Sequence, residues 1–574
     1  TTNKKNFKST GIISDITIQK LMKTKIIENI ISENEYKSKK DLKRSDGKKS
    51  RKIVGIPKYC GANKAGSQKY SKECTLILTE GDSAKTTAVA GLSVVGRDLY
   101  GVFPLKGKLL NVKDVTQKKI QQNDEINNLV KILGLKYKHE YDVNNSKWEL
   151  RYGRIMIMTD QDHDGSHIKG LVMNLFHTHW PSLFENKFIT SLITPIIKCF
   201  KGKNEKAFFT LKEYEDWKET TPNLKLWRIK YYKGLGTSNV KEAKEYFTKM
   251  NVQSYIYEDE ISNQFMNLAF NKKNSDKRKL WLSEYSTNNI LNFGEKDVLY
   301  SDFINKDLIH FSQADCRRSI PDIRDGFKPS QRKILYSCFK RNLTKEIKVA
   351  QLAGYVSEHS NYHHGEMSLN SSIVALAQNF LGSNNINLLY PSGQFGSRLL
   401  GGKDSASCRY IFTRLSEVTK YIFKDQDKNI LNYLEDDGDK IEPECYYPII
   451  PMILVNGSMG IGTGYSSNIP NFSPNQIIKL LLNKLDGKDF ALIKPYYNKF
   501  KGSIKLNNSN YQSYGLYEII DNSTIRIIEL PIGVWTEDYK VVLDNSSKDK
   551  LNEDKKNKNC NVEVIAIDKD QKLS

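Results

Sequence analysis

The chain has 574 residues and carries 88 Lys plus Arg against 66 Asp plus Glu, a formal net charge of +22. A hydrophobic fraction of 39% with 35 Gly and 15 Pro excludes a collagenous or wholly disordered chain, and at roughly 150 residues per domain the length predicts three or four domains. The basic surplus predicts a polyanionic partner, while a membrane span is excluded because the longest apolar candidate, 446–465, is broken by Pro448, Pro451 and four glycines.

The opening TTNKKNFKST has no initiator Met and no apolar signal stretch, and reads as cut from a longer polypeptide. Eight cysteines without a CxxC pair predict a reducing compartment and neither a disulfide scaffold nor a structural zinc site. Residues 1–72 mix short apolar stretches with basic runs and read as a lead-in segment. TLILT (75–79), the turn Glu80-Gly81-Asp82-Ser83 and a small-residue run predict strand, tight turn and helix, with Asp82 or Ser83 as N-cap. RIMIMTD (154–160) predicts a strand buried on both faces of a parallel sheet. SLITPII (191–197) and LWRIKYYKGLG (226–236) follow, and 238–283 predicts charged helix ending in the basic NKKNSDKRK. In 325–342, Pro329 and the spacing of Ile334, Leu335, Cys338 and Phe339 predict a basic amphipathic helix. After about Tyr446 the pattern changes to short strands such as GSIKL, TIRIIEL and VEVIAI, and 551–560 is a solvated charged stretch.

Asp160, Asp162 and Asp164 stand as DQDHDG at the end of a predicted strand. In an extended segment residues two apart share a face, so the three carboxylates can point to one spot suited to a hard divalent cation. An EF-hand also begins this way, but its twelfth position here is Leu171 where a bidentate Glu is required. An isolated DxD is most often a solvated acidic turn. Glu80, a second acid at a strand end, favours the metal reading, because functional groups gather at the carboxyl ends of parallel strands. Glu80 with two aspartates would hold one or two Mg²⁺ ions against a phosphodiester.

TLILTEGDSAK followed by a strand and DQDHDG resembles the Toprim domain, the metal-dependent phosphotransfer module of topoisomerases and some primases. EGDSAKTTAVAGLSVVGRDLYGVFPLKGKLLNV and YYKGLGT at 231–237 resemble the type IIA DNA topoisomerases specifically, and of these the eukaryotic kind, which carries the Toprim and tyrosine halves on one chain.

Tyrosine can attack phosphorus and keep the bond energy in an ester, but with 31 tyrosines composition selects none. Arg409-Tyr410 places a guanidinium beside a phenol, which suits charge stabilisation, but on the residues alone a strand start with an exposed Arg is the preferred reading. The resemblance decides between them: LYPSGQFGSRLLGGKDSASCRYIFTRL is similar to the winged-helix active site of the family, which implies Tyr410 as nucleophile and Arg409 as transition-state partner. The same match implies His364 assisting proton transfer or holding phosphate, Lys328 on the DNA backbone, and Tyr362 and Ser368 along the DNA. Cys408 departs from the family pattern of a small residue or Pro and puts a thiol near the site. GSMGIGTGY (457–465) fails the dinucleotide spacing and lacks a P-loop. A glycine turn presenting one apolar side chain suits either a base-pair wedge or a tight turn over a core; the resemblance implies the wedge, at Ile461. It further implies DNA contacts at Lys108 and Leu109, and at Lys272 and Lys273.

The expected fold is thus multidomain α/β plus α+β. A Toprim domain with a Rossmann-like parallel sheet and a helical basic insertion (73–297) is followed by a winged-helix domain (298–445). A β-rich tower region (446–574) ends before the coiled-coil gate of the family. The expected activity is Mg²⁺-dependent double-strand DNA cleavage and religation through a 5′-phosphotyrosyl intermediate. Mn²⁺ or Ca²⁺ substitutes for Mg²⁺, and ATP-driven strand passage is confined to the full-length enzyme. The expected partners are duplex DNA and a second copy of the chain, and the expected location is the nucleus. A Toprim-type hydrolase in which water attacks, and a non-catalytic architectural DNA binder, are the competing classes.

Overall fold

A computed structural model describes residues 46–145, 147–232, 234–362, 364–436, 439–508 and 510–553. Most of the lead-in (1–45) and the VEVIAI stretch lie outside these residues. The chain divides into two compact units, 1–314 and 315–574.

The first unit is built on a six-stranded sheet in the order Tyr100–Pro104, Thr75–Thr79, Arg154–Met158, Ile189–Leu192, Val252–Ile256, Asp297–Leu299. The first four strands are mutually parallel, Val252–Ile256 runs antiparallel to its neighbour Ile189–Leu192, and Asp297–Leu299 is parallel to Val252–Ile256. Every residue of Thr75–Thr79 is buried, as a strand covered on both faces requires. The helix Asp82–Val95 buries Ala84, Thr87, Ala88 and Leu92. Gly91 lies so close to the Phe247 ring that a Cβ there would stand 2.1 Å from it, which lets this helix press against Val240–Lys249. Residues from the lead-in join the unit: Cys60 exchanges hydrogen bonds with Val102, and the buried Arg151 guanidinium donates to the Ser50 carbonyl at 2.7 Å.

The second unit opens on three helices, Pro329–Lys340, Val349–His359 and Glu366–Ala377, beside an antiparallel sheet ordered Ile347–Lys348, Phe412–Leu415, Leu389–Ser392. Ile334, Leu335, Cys338, Leu352, Val356 and Ile373 form its core. Asp325, fully buried, is satisfied from three sides: Arg332 Nε at 2.8 Å, the Phe327 amide at 2.9 Å and the Tyr446 amide at 2.9 Å. Beyond these come the hairpin Ser458–Ile461/Ser466–Ile469 and two further hairpins, Ser503–Asn507/Asn510–Tyr514 and Leu516–Ile519/Ile525–Glu529.

Three sequence expectations change, and SLITPII, marked in the sequence without a boundary, is divided. Asp82 and Ser83 do not cap their helix, because Gly81 takes the cap position and Asp82 enters the first turn, ion-paired with Lys58. SLITPII is two strands in different sheets, Ile189–Leu192 and Ile197–Lys201, since Pro195 cannot continue a ladder. The stretch 238–283 contains the strand Val252–Ile256, whose alternating burial marks period two inside a helical context. After Tyr446 the chain is not all strand: Pro474–Leu485 is a helix with Pro in its first turn.

Candidate functional site

The parallel register sets the acidic site. Thr79 pairs with Met158, so the residues that follow, Glu80 and the segment from Asp160, leave neighbouring strands at the same edge. The strand ends at Met158, and Asp162 is the N-cap of the helix His163–His179, accepting the Gly165 amide at 2.7 Å. The three aspartates therefore do not alternate along an extended segment as the spacing predicts. Asp160 stands in the turn, Asp162 caps, and Asp164 lies in the first helical turn, where Lys108 Nζ donates to its Oδ1 at 2.8 Å.

Asp160 is held from the far side of the unit. Its Oδ1 accepts the Leu235 amide at 2.6 Å, and the Leu235 carbonyl accepts Thr87 Oγ1 at 2.9 Å. A Cβ at Gly234 would meet Asp160 Oδ2 at 2.8 Å, and one at Gly165 would meet the Asp160 carbonyl at 2.0 Å. Gly165 therefore has to be glycine, because its neighbour is backbone, and Gly234 lets its segment approach the Asp160 carboxylate closely.

Burial, with the Asp160 and Asp162 charges adding to it, pushes the Glu80 carboxyl up to about 7, and burial pushes Asp160 up to about 6 against the opposing Leu235 hydrogen bond. Glu80 Oε2 is buried without a hydrogen-bond partner. Among the described residues no three His, Cys, Asp or Glu side chains close into a ready-made metal shell. An orphaned carboxylate oxygen among mutually repelling acids nevertheless fits Mg²⁺, which takes one or two carboxylates and completes its shell with water and phosphate. Glu80, Asp160 and Asp162 are the residues that could hold it, whereas Asp164 is engaged by Lys108.

The second candidate group is built differently. Tyr410 is 75% exposed and Arg409 is exposed beside it. The turn that carries them is pinned: the carbonyls of Cys408 and Ile411 accept the amides of Ala350 and Val349 at 3.1 and 3.0 Å, and the Tyr410 amide donates to Ser407 at 2.9 Å. Ile411 is buried and the strand Phe412–Leu415 follows at once. Cys408 is half-buried against the core, and burial raises its thiol. Tyr362 is half-buried, with His364 exposed and edge-on to its ring at 5.5 Å. Ser368 is exposed on the first turn of Glu366–Ala377.

Ile461 ends its hairpin strand and is 78% exposed. Lys328 Nζ donates to the Met459 carbonyl of that strand at 2.9 Å, and burial lowers its ammonium. Lys272 and Lys273 are exposed in a short 3₁₀ turn tied by the Lys272 amide to Asp114 at 3.0 Å. Leu109 is 4% exposed. The residue is buried in the core, so its side chain is not presented to a duplex.

The residues that shape the acidic site and escape a sequence reading are Leu235, Thr87 and Asp307. Asp307 accepts Ser166 Oγ at 2.6 Å and pairs with the buried Lys169 at 3.5 Å behind the DQDHDG turn. Only the glycines of YYKGLGT, read through resemblance, point towards any of them.

Residues 75–193 match the Toprim domain, 192–316 the C-terminal associated domain of TOPRIM, and 318–573 the A-subunit family of DNA gyrase/topoisomerase IV. DNA topoisomerase 2 of Plasmodium falciparum is 51% identical over 95% of this chain and 39% of its own length. DNA topoisomerase 2-alpha of Mus musculus is 52% identical over 93% of this chain and 36% of its own. A mitochondrial DNA topoisomerase 2 of Dictyostelium discoideum is 52% identical over 95% of this chain and 43% of its own length. The chain thus spans well under half the length of these relatives. A crystal structure of the Plasmodium falciparum topoisomerase II DNA-binding, cleavage and re-ligation domain is 52% identical. It superposes with a TM-score of 0.70, covering 88% of this chain and 69% of that one. On these matches, which run from the strand before Glu80 to beyond the last hairpin, the chain belongs to the eukaryotic-type DNA topoisomerase II family, type IIA.

Proposed function

We propose that this chain is the DNA binding and cleavage core of a type II topoisomerase, cutting and religating duplex DNA through Tyr410. The observation that carries the reading is an exposed phenol beside an arginine on a turn whose backbone is fixed on both sides. Such a group is presented to a large substrate and cannot drift from it. Tyr410 Oη forms the bond to the scissile phosphorus, the 3′ oxygen leaves, and the product is a 5′-phosphotyrosyl ester with a free 3′ hydroxyl. The phenolic proton passes to a nearby acceptor, a role open to His364, the leaving 3′ oxygen takes a proton from solvent water, and Arg409 stabilises charge on the phosphate.

Glu80, Asp160 and Asp162 would hold Mg²⁺, with Asp164 joining only if Lys108 released it; such a cation would supply charge stabilisation at the phosphate and the leaving oxygen. Ile461 wedges the duplex, and Lys108, Lys272, Lys273, Lys328, Tyr362 and Ser368 line its path. We assign residues 1–72 to a lead-in, 73–297 to the Toprim domain, 298–445 to a winged-helix domain and 446–574 to a tower region. Two copies acting across a two-fold axis cut one strand each. ATP-driven strand passage belongs to the longer polypeptide, and the nucleus is its proposed location, although one relative is named as mitochondrial.

The test is cleavage of end-labelled plasmid trapped with denaturant. Protein covalently attached to the 5′ ends supports the reading. Cut DNA with free ends overturns it in favour of a hydrolase in which water attacks, and uncut DNA that is merely bent overturns it in favour of an architectural binder.

A further inference from the structure

The glycine-rich stretch FGSRLLGGKD, which leads into Tyr410, is not itself placed in the chemistry, and its three glycines have positive φ angles that favour glycine: Gly396 (φ 95°), Gly401 (φ 62°) and Gly402 (φ 83°). The structure supplies a reason. A Cβ at Gly401 would lie 2.3 Å from the Trp535 indole, and one at Gly382 would lie 3.4 Å from the same ring. Phe380 meets that indole edge-on at 6.0 Å. Trp535 belongs to the last part of the second unit, more than a hundred residues away in sequence, and it is seated on the apex of the loop.

The neighbours of Trp535 fasten the same loop. Arg398 is ion-paired with the buried Glu529, and its second guanidinium nitrogen donates to the Leu530 carbonyl at 2.6 Å. The Glu537 amide donates to the Leu399 carbonyl at 3.1 Å. Residues 529–537 thus form a strap with three polar ties and one aromatic plug on residues 398–401.

From the strap a continuous set of bonds runs to the turn of Tyr410. The Gly402 amide donates to Ser397 at 2.9 Å, and Gln378 Nε2 donates to the Phe395 and Gly402 carbonyls at 2.9 and 3.3 Å. The Ser397 amide donates to Asp404 at 2.9 Å. The Ala406 amide closes the base of the loop on the Gln394 carbonyl at 2.9 Å, and the Tyr410 amide donates to Ser407. The loop is a closed body, rigid once its apex is occupied, and Tyr410 stands four residues beyond its base.

We propose that Trp535, with Arg398 and Glu529, is a positioning residue for strand cleavage: it fixes the loop 394–406 and through it the attitude of the Tyr410 turn. This rests on the reading of Tyr410 as nucleophile. Trp535 does not touch the reacting atoms, so its removal leaves DNA binding in place and slows the attack.

The experiment measures single-turnover formation of the covalent adduct at saturating duplex, with duplex affinity and thermal melting measured alongside, for wild type, Trp535→Ala, Trp535→Phe and Gly401→Ala. The expected result is a fall in the cleavage rate of about tenfold or more for Trp535→Ala at unchanged affinity, the scale of effect for a misplaced reacting group. Trp535→Phe should recover most of the rate, because a flat ring still covers Gly401. Gly401→Ala pushes from the loop side and should reproduce the loss even if Trp535→Ala folds poorly. A wild-type rate in folded Trp535→Ala, or in Gly401→Ala, overturns the positioning role and leaves the nucleophile assignment standing. No adduct from wild type overturns both.

Discussion

The two halves of the proposed reaction centre are held in opposite ways. The acidic group is partly buried, its members repel one another, and one oxygen of Glu80 has no partner. The unit that carries Tyr410 instead buries matched charges among its described residues, such as Asp325 with Arg332, and leaves the Tyr410 phenol in solvent. The first site carries an unfavourable charge balance that a cation offsets. The second carries none and depends on backbone geometry. A charged site awaiting a small ion can be assembled inside one unit, whereas a nucleophile that must meet a duplex has to stand on the outside of its own.

The largest expected effect tests the exposed side. Tyr410→Phe removes one hydroxyl from a side chain that is mostly exposed, so melting and duplex affinity should be nearly unchanged while covalent adduct vanishes. Adduct persisting in that variant, detected by denaturing gel, would move the nucleophile elsewhere and end the comparison.

The next pair of changes should differ in sign. Arg332→Ala strands the fully buried Asp325 carboxylate and should cost about 3–5 kcal/mol in chemical denaturation. Glu80→Gln removes a repelled charge and should raise the stability of the metal-free protein. The pH dependence fixes the direction. Glu80 has an ordinary value of 4.5 and is pushed up to about 7 in the folded chain, so the folded state holds the proton more tightly than the unfolded one. The penalty is absent below about 4.5 and complete above about 7, and stability of the metal-free wild type falls as pH rises through that window. Glu80→Gln should flatten the slope, leaving the smaller contribution of Asp160, which runs from 3.8 to about 6. Adding Mg²⁺ should reverse the order of the two proteins, because the cation stabilises only the one with the full set of ligands. The same substitution should shift the Mg²⁺ dependence of cleavage upward. Melting curves of wild type and Glu80→Gln that overlay at both about pH 4 and about pH 8, on either side of the Glu80 transition, with and without Mg²⁺, would remove Glu80 from the site.

How much of this is legible in the sequence follows from the range of the interactions. Strand, turn and helix around Glu80 can be read because TLILT and the small-residue run are local patterns, and parallel neighbours place their ends together whatever lies between. The bond from the Leu235 amide to Asp160 joins residues 75 apart, and no local period reports it. The three-aspartate motif misleads for a physical reason: a carboxylate a few residues past a strand end, here Asp162 after Met158, caps the next helix as readily as it extends the strand. Leu109 is picked out by its position in a motif, and only the packing shows that its side chain is inside. Tyr410 cannot be chosen among 31 tyrosines by composition, since its distinguishing property is a pinned turn formed by amides from another helix.

The smallest effects separate shape from charge within the DNA path. Ile461 carries no charge and is exposed at the end of a hairpin whose Gly460 would clash with the Ser319 carbonyl if it bore a Cβ, at 2.2 Å. The hairpin is therefore seated by its backbone, and Ile461→Ala should leave it in place. Bending, measured by energy transfer across an end-labelled duplex, should fall, because the side chain that compensates for unstacking is shortened. The dependence of affinity on salt should not move. Lys272→Ala with Lys273→Ala should do the reverse, lowering the log–log salt slope by about 0.9 for each phosphate the two lysines neutralise while the bend persists. These lysines sit in the unit that carries the acidic site, and Ile461 in the unit that carries Tyr410. If both substitutions alter bend and slope together, the division of labour between a charge-handling unit and a geometry-handling unit fails at the DNA surface, even where it holds for the two reactive groups.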